Sequence, residues 1–388
     1  MTQTAHETQV LDWLAGQKAA MLALLQEVVD TDSGSYDKAG VDAVGARFIR
    51  FFAEHGLPTT VEANATYGDA IHVRLDDVVR NDKPVLLMGH RDTVFPKGEA
   101  GRRPFRIEAG RAYGPGVADM KAGLVMNAFV LAAMKKFGAP VPVIGLITSD
   151  EEIASPSSRP IIERVARDCR AVLNAEPGRP SGNIVTGRKG GVFMAFEVTG
   201  KAAHSGGNFE KGISAVGELA HKVVALHALT GLRPGITVNV GLVKGGQSVN
   251  TTAPSAEGQI DLRYVRREDR AVALAEVERI IATSTVKGAT ASLTIRGEFL
   301  PLDAGEAAAD LFATYTDAAA AAGLKVEGEF TGGCADSGFT AAVGCPTLCA
   351  TGPVGANAHT PEEVLEVESM VPRAQAAALT ILRLPPQG

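Results

Sequence analysis

Apolar residues at Val10, Leu11, Trp13, Leu14, Met21, Leu24, Leu25 and Val28 recur at helical spacing and predict one opening amphipathic helix. A second helix covers about 40–55, with Gly56 as its stop. The period then shortens. Segments at about 59–62 and 70–75 read as strands. Val85-Leu86-Leu87-Met88, entered through Pro84 and halted by Gly89, reads as a buried one. Lys121 to Phe137 predicts a helix ended by Gly138, and β-branched strands follow at about 141–148 and 170–174. Strands alternating with helices of this length mean an α/β domain on a mixed, largely parallel sheet. The pattern changes after that. A strand at 191–200, a helix at 213–229, strands at 236–243 and 257–265, a helix at 267–284 and a strand at 291–297 give the order βαββαβ. That order suits a small ferredoxin-like α+β unit with its own core. Beyond Phe299 the α/β pattern resumes, with a helix at 305–322, a strand at 325–329, a helix near 337–343, a strand at 346–350 and a last helix from about 368. The expected organisation is a catalytic domain of 1–187 and 300–388, interrupted by a lid of 188–299.

Composition narrows the classes. The 388 residues exceed one typical core, and 45% hydrophobic with 21% charged residues is ordinary globular usage. A net charge of -6 with no basic run argues against nucleic acid as a partner. No stretch reads as a membrane span or a signal peptide. Cys169, Cys334, Cys345 and Cys349 lack CxxC spacing, so reduced thiols and a cytoplasmic setting are expected.

The candidate chemistry gathers at strand ends. In Gly89-His90-Arg91-Asp92-Thr93, side-chain alternation points His90 and Asp92 one way and Arg91 the other. That pairing suits a metal ligand with its orienting carboxylate, and equally a loop histidine beside a solvated aspartate. Asp119, after Gly114-Pro115-Gly116, could bridge two cations or cap the following helix. Asp150-Glu151-Glu152 ends a buried strand as a like-charge cluster, costly unless cations neutralise it or solvent reaches it. Glu176 ends the next strand, and His359 lies in a loop near the C-terminus; either alone is an ordinary surface residue. Together the set shares the carboxyl ends of strands, where open α/β sheets form their sites. Two histidines and three carboxylates are the inventory for two metals, one carboxylate bridging. Nitrogen and oxygen ligands without thiolate suit Zn²⁺, with Co²⁺ or Mn²⁺ as alternatives.

These motifs carry a resemblance. Gly-His-x-Asp-Thr-Val, Gly-Pro-Gly-x-Ala-Asp, Asp-Glu-Glu, Ala-Glu-Pro and Ala-His-Thr-Pro-Glu are similar to those of the di-zinc exopeptidase family of glutamate carboxypeptidases, acetylornithine deacetylases and succinyl-diaminopimelate desuccinylases. Nearly the whole chain is covered, and the folate-cleaving glutamate carboxypeptidase branch is the nearest in pattern. The resemblance implies two zincs per subunit bridged by Asp119, with His90 and Glu176 on one ion and Glu152 and His359 on the other. It implies Glu151 as general base to a metal-bridged water, and Asp92 as the residue that holds His90. It also implies a cis peptide at Asp119-Met120, although Met120 replaces the acidic residue frequent there.

In the lid, the resemblance assigns His204 as a second donor to the oxyanion, reaching the partner subunit of a homodimer. Arg263 and Asn250 match residues that bind the substrate carboxylate, and Gly333 would line the pocket from the catalytic domain. Cys334 stands where many relatives have a small residue, and Lys189 adds a second cation near the hinge. The expected activity is release of a C-terminal, glutamate-like amino acid from an N-acyl or peptidyl group. The alternative is an aminoacylase or deacetylase of small N-acyl amino acids. A serine hydrolase would need a Gly-x-Ser-x-Gly elbow and a dinucleotide enzyme Gly-x-Gly-x-x-Gly; neither pattern is complete.

Overall fold

A computed structural model describes residues 4–80, 82–303 and 305–387. The chain divides into two compact units, Met1–Gly187 with Leu302–Thr331 and Ala335–Gly388, and Arg188–Pro301 with Gly332–Cys334. Gly332–Cys334 therefore groups with the smaller unit, not with the catalytic part to which the sequence pattern assigns Gly333. Two arginines hold it there: Arg188 Nη1 donates to the Gly333 and Cys334 carbonyls, and Arg263 Nη1 to Cys334 Sγ.

The larger unit is built on a six-stranded sheet in the order Thr59–Glu62, Ala70–Leu75, Val143–Thr148, Val85–His90, Ala171–Asn174, Thr347–Leu348. The first two pairings are antiparallel and the rest parallel. Val85–His90 is buried at every residue, as a central strand covered on both faces must be. Helix Ala122–Phe137 is buried over nearly its whole length. It corrects one expectation: Val117–Phe137 is long and apolar enough to cross a membrane, yet 94% of its 18-residue apolar stretch, of mean hydropathy 1.5, is buried inside the protein. Two glycines permit the packing beneath the strand ends. A Cβ on Gly89 would lie 2.1 Å from Met120 Cε, and one on Gly123 would lie 1.9 Å from the Ala175 carbonyl oxygen.

The opening segment is two helices, not one. Gly16 caps Ala5–Ala15, and a second helix, Lys18–Val29, follows. Helix Ser158–Arg167 and most of two small sheets escaped the pattern, which read only their strand near 325–329. One of those sheets joins Leu302–Asp303, Ile184–Arg188 and Gly328–Thr331; the other joins Gly355–Ala356, Val364–Glu366, Arg111–Tyr113 and Arg106–Glu108. Strands of two to five residues are too short to show a period.

The smaller unit has an antiparallel sheet in the order Thr237–Gly245, Ser255–Tyr264, Gly190–Thr199, Thr290–Phe299. Helices Ala215–His227 and Arg267–Ala282 supply Leu219, Leu226, Ala273, Val277 and Ile280 to its core. Inside it, Lys222 pairs with Glu218 at 2.9 Å, both buried. Lys222 also donates to the Ile280, Ile281 and Thr283 carbonyls at the end of the second helix.

Candidate metal centre

The three parallel central strands deliver their ends to one place. His90 is the last residue of Val85–His90, Glu151 and Glu152 follow Val143–Thr148, and Glu176 follows Ala171–Asn174. Arg91 turns the opposite way, as alternation requires. It is buried, donating to the Val41 carbonyl at 2.9 Å and pairing with Asp42 at 3.2 Å.

Asp92 organises the turn. It is fully buried, accepts the Ser35 hydroxyl at 2.7 Å and the Glu151 and Glu152 amides at 3.2 and 3.1 Å, and lies 3.3 Å from His90 Nδ1. Burial opposes its charge, but the His90 and Ser35 hydrogen bonds win and hold its carboxyl below the usual range. A carboxylate on Nδ1 keeps the proton there and leaves Nε2 as the ligand atom.

His90 Nε2 is buried without a hydrogen-bond partner among the described residues. It faces Asp119 Oδ1 at 3.4 Å, Glu176 Oε1 at 3.8 Å and Glu151 Oε2 at 3.9 Å. The other oxygen of Asp119, Oδ2, lies 3.3 Å from His359 Nε2, which is 3.1 Å from Glu152 Oε2. Two groups result, His90–Asp119–Glu176 and Asp119–Glu152–His359, whose ligand atoms lie within 4.8 Å of one another in each. They share Asp119, one oxygen to each histidine. The chemistry of the donor set and the unpartnered imidazole nitrogen fit a pair of divalent cations.

Without cations, protons report the same field. Burial, then neighbouring carboxylates, push Glu151 well above its ordinary value, and push Glu152 up to about 7. Hydrogen bonds donated to the Asp119 and Glu152 carboxylates hold His359 up to about 10. Burial penalises charge on His90, yet Glu151, Asp119 and Asp92 raise it well above 6.5. Asp119 goes down despite its burial, through the two histidines.

Three carboxylates outside the expected set complete the picture. Asp150, the first of the acidic run, has a different role. It accepts Ser157 N and Oγ at 2.7 and 2.6 Å and caps the entry to Ser158–Arg167. Glu363, fully buried, accepts the amides of Gly116, Ala118 and Asp119 at 2.9, 2.8 and 2.9 Å. It thereby fixes the loop that carries Asp119, which includes the cis Asp119-Met120 bond. The sequence signal for Glu363 is its place four residues after His359, beside an identical neighbour, Glu362. Asp336, buried and hydrogen-bonded to Ser155, is pushed up to about 8 by burial.

The remaining expected site residues belong to the smaller unit. Arg263 gives Nε and Nη2 to Asp261 at 2.6 and 3.0 Å and Nη1 to Cys334 Sγ at 2.8 Å, with its guanidinium 5.1 Å above the Phe193 ring. Asp261 went unread, although two residues apart on a strand puts it on the same face. His204 is exposed and its Nδ1 accepts the Gly206 amide at 3.1 Å, leaving Nε2–H as a donor. Asn250 lies alongside, its carbonyl accepting the Ser205 amide at 3.0 Å. Lys189 Nζ donates to the Gly235 carbonyl at 2.9 Å.

A family model for peptidase family M20/M25/M40 matches residues 86–383. The chain belongs to that family. Carboxypeptidase G2 of Pseudomonas sp. (strain RS-16) is 29% identical over 95% of this chain and 90% of its own length. An acetylornithine deacetylase of Pasteurella multocida is 31% identical over 46% of this chain and 50% of its own. Among solved structures, an M20 family metallo-carboxypeptidase from Sulfolobus solfataricus superposes with a TM-score of 0.77 at 17% identity, covering 93% of this chain and 98% of that one. An aminopeptidase from Bacillus cereus gives 0.77 at 20% identity over 94% and 98%. At such identities the structures speak for the fold alone. This M20 chain is thus a hydrolase of the metallopeptidase class on a mixed α/β fold.

Proposed function

We propose that this M20 chain is a di-zinc carboxypeptidase-type amidohydrolase that releases a C-terminal, glutamate-like amino acid from an N-acyl or peptidyl group. The observation that carries the proposal is Asp119 dividing its two oxygens between His90 and His359, with Glu151 beside the cluster but outside both ligand groups. His90, Glu176, Asp119, Glu152 and His359 would hold the ions; Zn²⁺ suits the mixed nitrogen and oxygen donors, and Co²⁺ or Mn²⁺ could replace it. When bound, two such cations supply an acidified water and polarise the scissile carbonyl.

The chain's own residues do the rest. Glu151, kept proton-hungry by burial and by like charges, takes the water's proton and returns it to the leaving nitrogen. Asp92 keeps the His90 imidazole in the ligating tautomer. His204 offers Nε2–H to the developing oxyanion. Arg263 and Asn250 bind the substrate carboxylate, with Gly333 and Lys189 nearby in the smaller unit.

We read the smaller unit as a lid through which a homodimer forms, with His204 serving the partner's site. Exposed Val216, Val224, Leu242 and Val243, on one helix and on the edge strand Thr237–Gly245, support such a contact. Four cysteines without CxxC spacing support a cytoplasmic setting.

The test is zinc-supplemented amide hydrolysis over a matched panel, with one acyl group on several amino acids and one amino acid under several acyl groups. Sharp dependence on the amino acid supports the carboxypeptidase reading. Strong preference for small acyl groups with tolerance of the amino acid would move the chain to the deacetylase branch.

A further inference from the structure

Arg91 stands between His90 and Asp92 in the chain, yet its side chain turns to the far face of the sheet and belongs to neither ligand group. It is 1% exposed, and all five of its N–H donors are used inside the protein. Nε donates to the Val41 carbonyl at 2.9 Å, and Nη1 to the Ile147 and Thr148 carbonyls at 3.3 and 3.2 Å. Nη2 donates to Asp42 at 3.2 Å and to the Asp69 carbonyl. A guanidinium with no donor left over cannot hold a ligand, so it acts on the protein itself. Two glycines keep its space open. A Cβ on Gly45, inside helix Lys38–Glu54, would lie 3.1 Å from Arg91 Nε, and one on Gly68 would lie 3.1 Å from Nη2. Glycine is a poor helix former, so its presence at 45 fits a demand for room. Charge is balanced locally: Asp42 and Asp69 hold Lys38 between them at 2.7 and 2.6 Å, so two cations meet two anions.

We propose that Arg91 is a positioning residue for the metal centre, fixing the strand end that carries His90 against the turn that carries Glu151 and Glu152. The inference rests on the amidohydrolase reading above for its kinetic part alone. The Thr148 carbonyl carries it. That oxygen is held twice, by the Arg91 amide at 3.1 Å and by Nη1, three residues before Glu151. On the metal side, the next residue, Asp92, accepts the Glu151 and Glu152 amides at 3.2 and 3.1 Å. Two adjacent residues therefore clamp the same turn from opposite faces of the sheet. Without the Arg91 half, the turn can pivot about the Asp92 bonds, and Glu152 and Glu151 shift relative to His90. The clamp needs an arginine. A lysine ammonium has three donors at one point, and cannot serve acceptors on two strands and a helix together.

The experiment compares Arg91→Met and Arg91→Lys with the native chain. Stripped protein is titrated with Co²⁺ against a competing chelator, below the melting transition, and kcat and KM are then read on the zinc-loaded proteins. The expected result for Arg91→Met is a fall of about 10–100-fold in Co²⁺ affinity, with kcat lowered and KM within about twofold. Arg91→Lys should fall at the lower end of that range. KM holds because the residues proposed to bind the substrate lie in the smaller unit. A residue that only stabilises the fold would lower the melting temperature and leave these readings alone. Co²⁺ affinity within about threefold of native in both variants therefore overturns the proposal, however far the melting temperature drops. If Arg91→Met does not fold, Arg91→Lys decides by the same threshold. If neither folds, Gly45→Ala decides, since it crowds Nε and removes no charge. A native chain that binds Co²⁺ but hydrolyses no amide would sink the amidohydrolase reading, and the titration alone would then judge Arg91.

Discussion

Replacing Glu363 with glutamine isolates the contribution of a residue that belongs to neither ligand group and acts through the backbone of Asp119. In the native chain one of its oxygens accepts the Ala118 and Asp119 amides and the other accepts Gly116. Glutamine keeps one acceptor oxygen, which can serve the first pair, and turns an NH₂ group toward the Gly116 amide. One buried donor is then left unmet, at a cost of about 1–3 kcal/mol. If the loop relaxes to recover that cost, Asp119 leaves its place between the two histidines, and cation affinity falls about 10–100-fold. Chelator-competition titration of the stripped variant measures the affinity, and a thermal melt alongside reports folding. Affinity within about threefold of native would falsify the argument, whatever the melt does, because Asp119 would then hold its position without Glu363. The pH dependence has a definite sign. Burial and Asp119 raise Glu363 from 4.5 to about 7 in the folded, metal-free chain. The folded state therefore binds more protons there than the unfolded chain, and stability declines as pH rises from 4.5 to about 7. The glutamine variant cannot titrate and should lose that part of the slope.

Glu151→Gln should retain both cations and lose turnover by about 10²–10⁴-fold, measured by metal content beside kcat; near-normal turnover would remove it as the base. Cation binding at pH 7 should release protons, because the metal-free chain holds His359 up to about 10 and Glu152 up to about 7. The sign follows from His359: the stability of its imidazolium pairs is full below 6.5 and lost as pH rises toward 10, so cation affinity climbs over the same window. Calorimetry in buffers of different ionisation enthalpy reads the release, and proton-neutral binding would contradict it. Mixed dimers of His204→Ala and Glu151→Gln chains should recover activity that neither parent has; verified mixed dimers without recovery would place His204 outside the partner's site. Lys222→Met should destabilise the chain by about 3–5 kcal/mol in denaturant melts by stranding buried Glu218, and a loss under about 1 kcal/mol would show that the pair carries little.

Part of the candidate cluster was legible because His90, Glu152 and Glu176 end or follow continuous apolar runs. Val85–His90, Val143–Thr148 and Ala171–Asn174 each announce a buried strand, and chemistry placed just past such a run can only gather at the sheet's carboxyl edge. Asp119 and His359 lie in loops and were read from their motifs and not from periodicity, and other loop residues went unread. Glu362 and Glu363 are adjacent and identical in type, and the turn through Asn357 and His359, both with positive φ, decides which one faces Asp119. Asp150 opens the same acidic run, but its side chain diverges from its neighbours and meets Ser157 instead. The break at Gly16 was hidden because the apolar spacing continues in phase across it.

Arg263 shows the same limit from the other side, and it sets a condition on recognition. A guanidinium has five N–H donors. Asp261 takes one from Nε and one from Nη2, and Cys334 takes one from Nη1, which leaves one N–H on each terminal nitrogen. Those two suffice for a single carboxylate, but Asp261 already balances the charge. A substrate carboxylate held there gains geometry from the fork and little from net charge, so selectivity has to come from the fit of the two remaining donors. Arginine's fixed planar fork supplies that fit, and the flexible ammonium of a lysine at 263 could not.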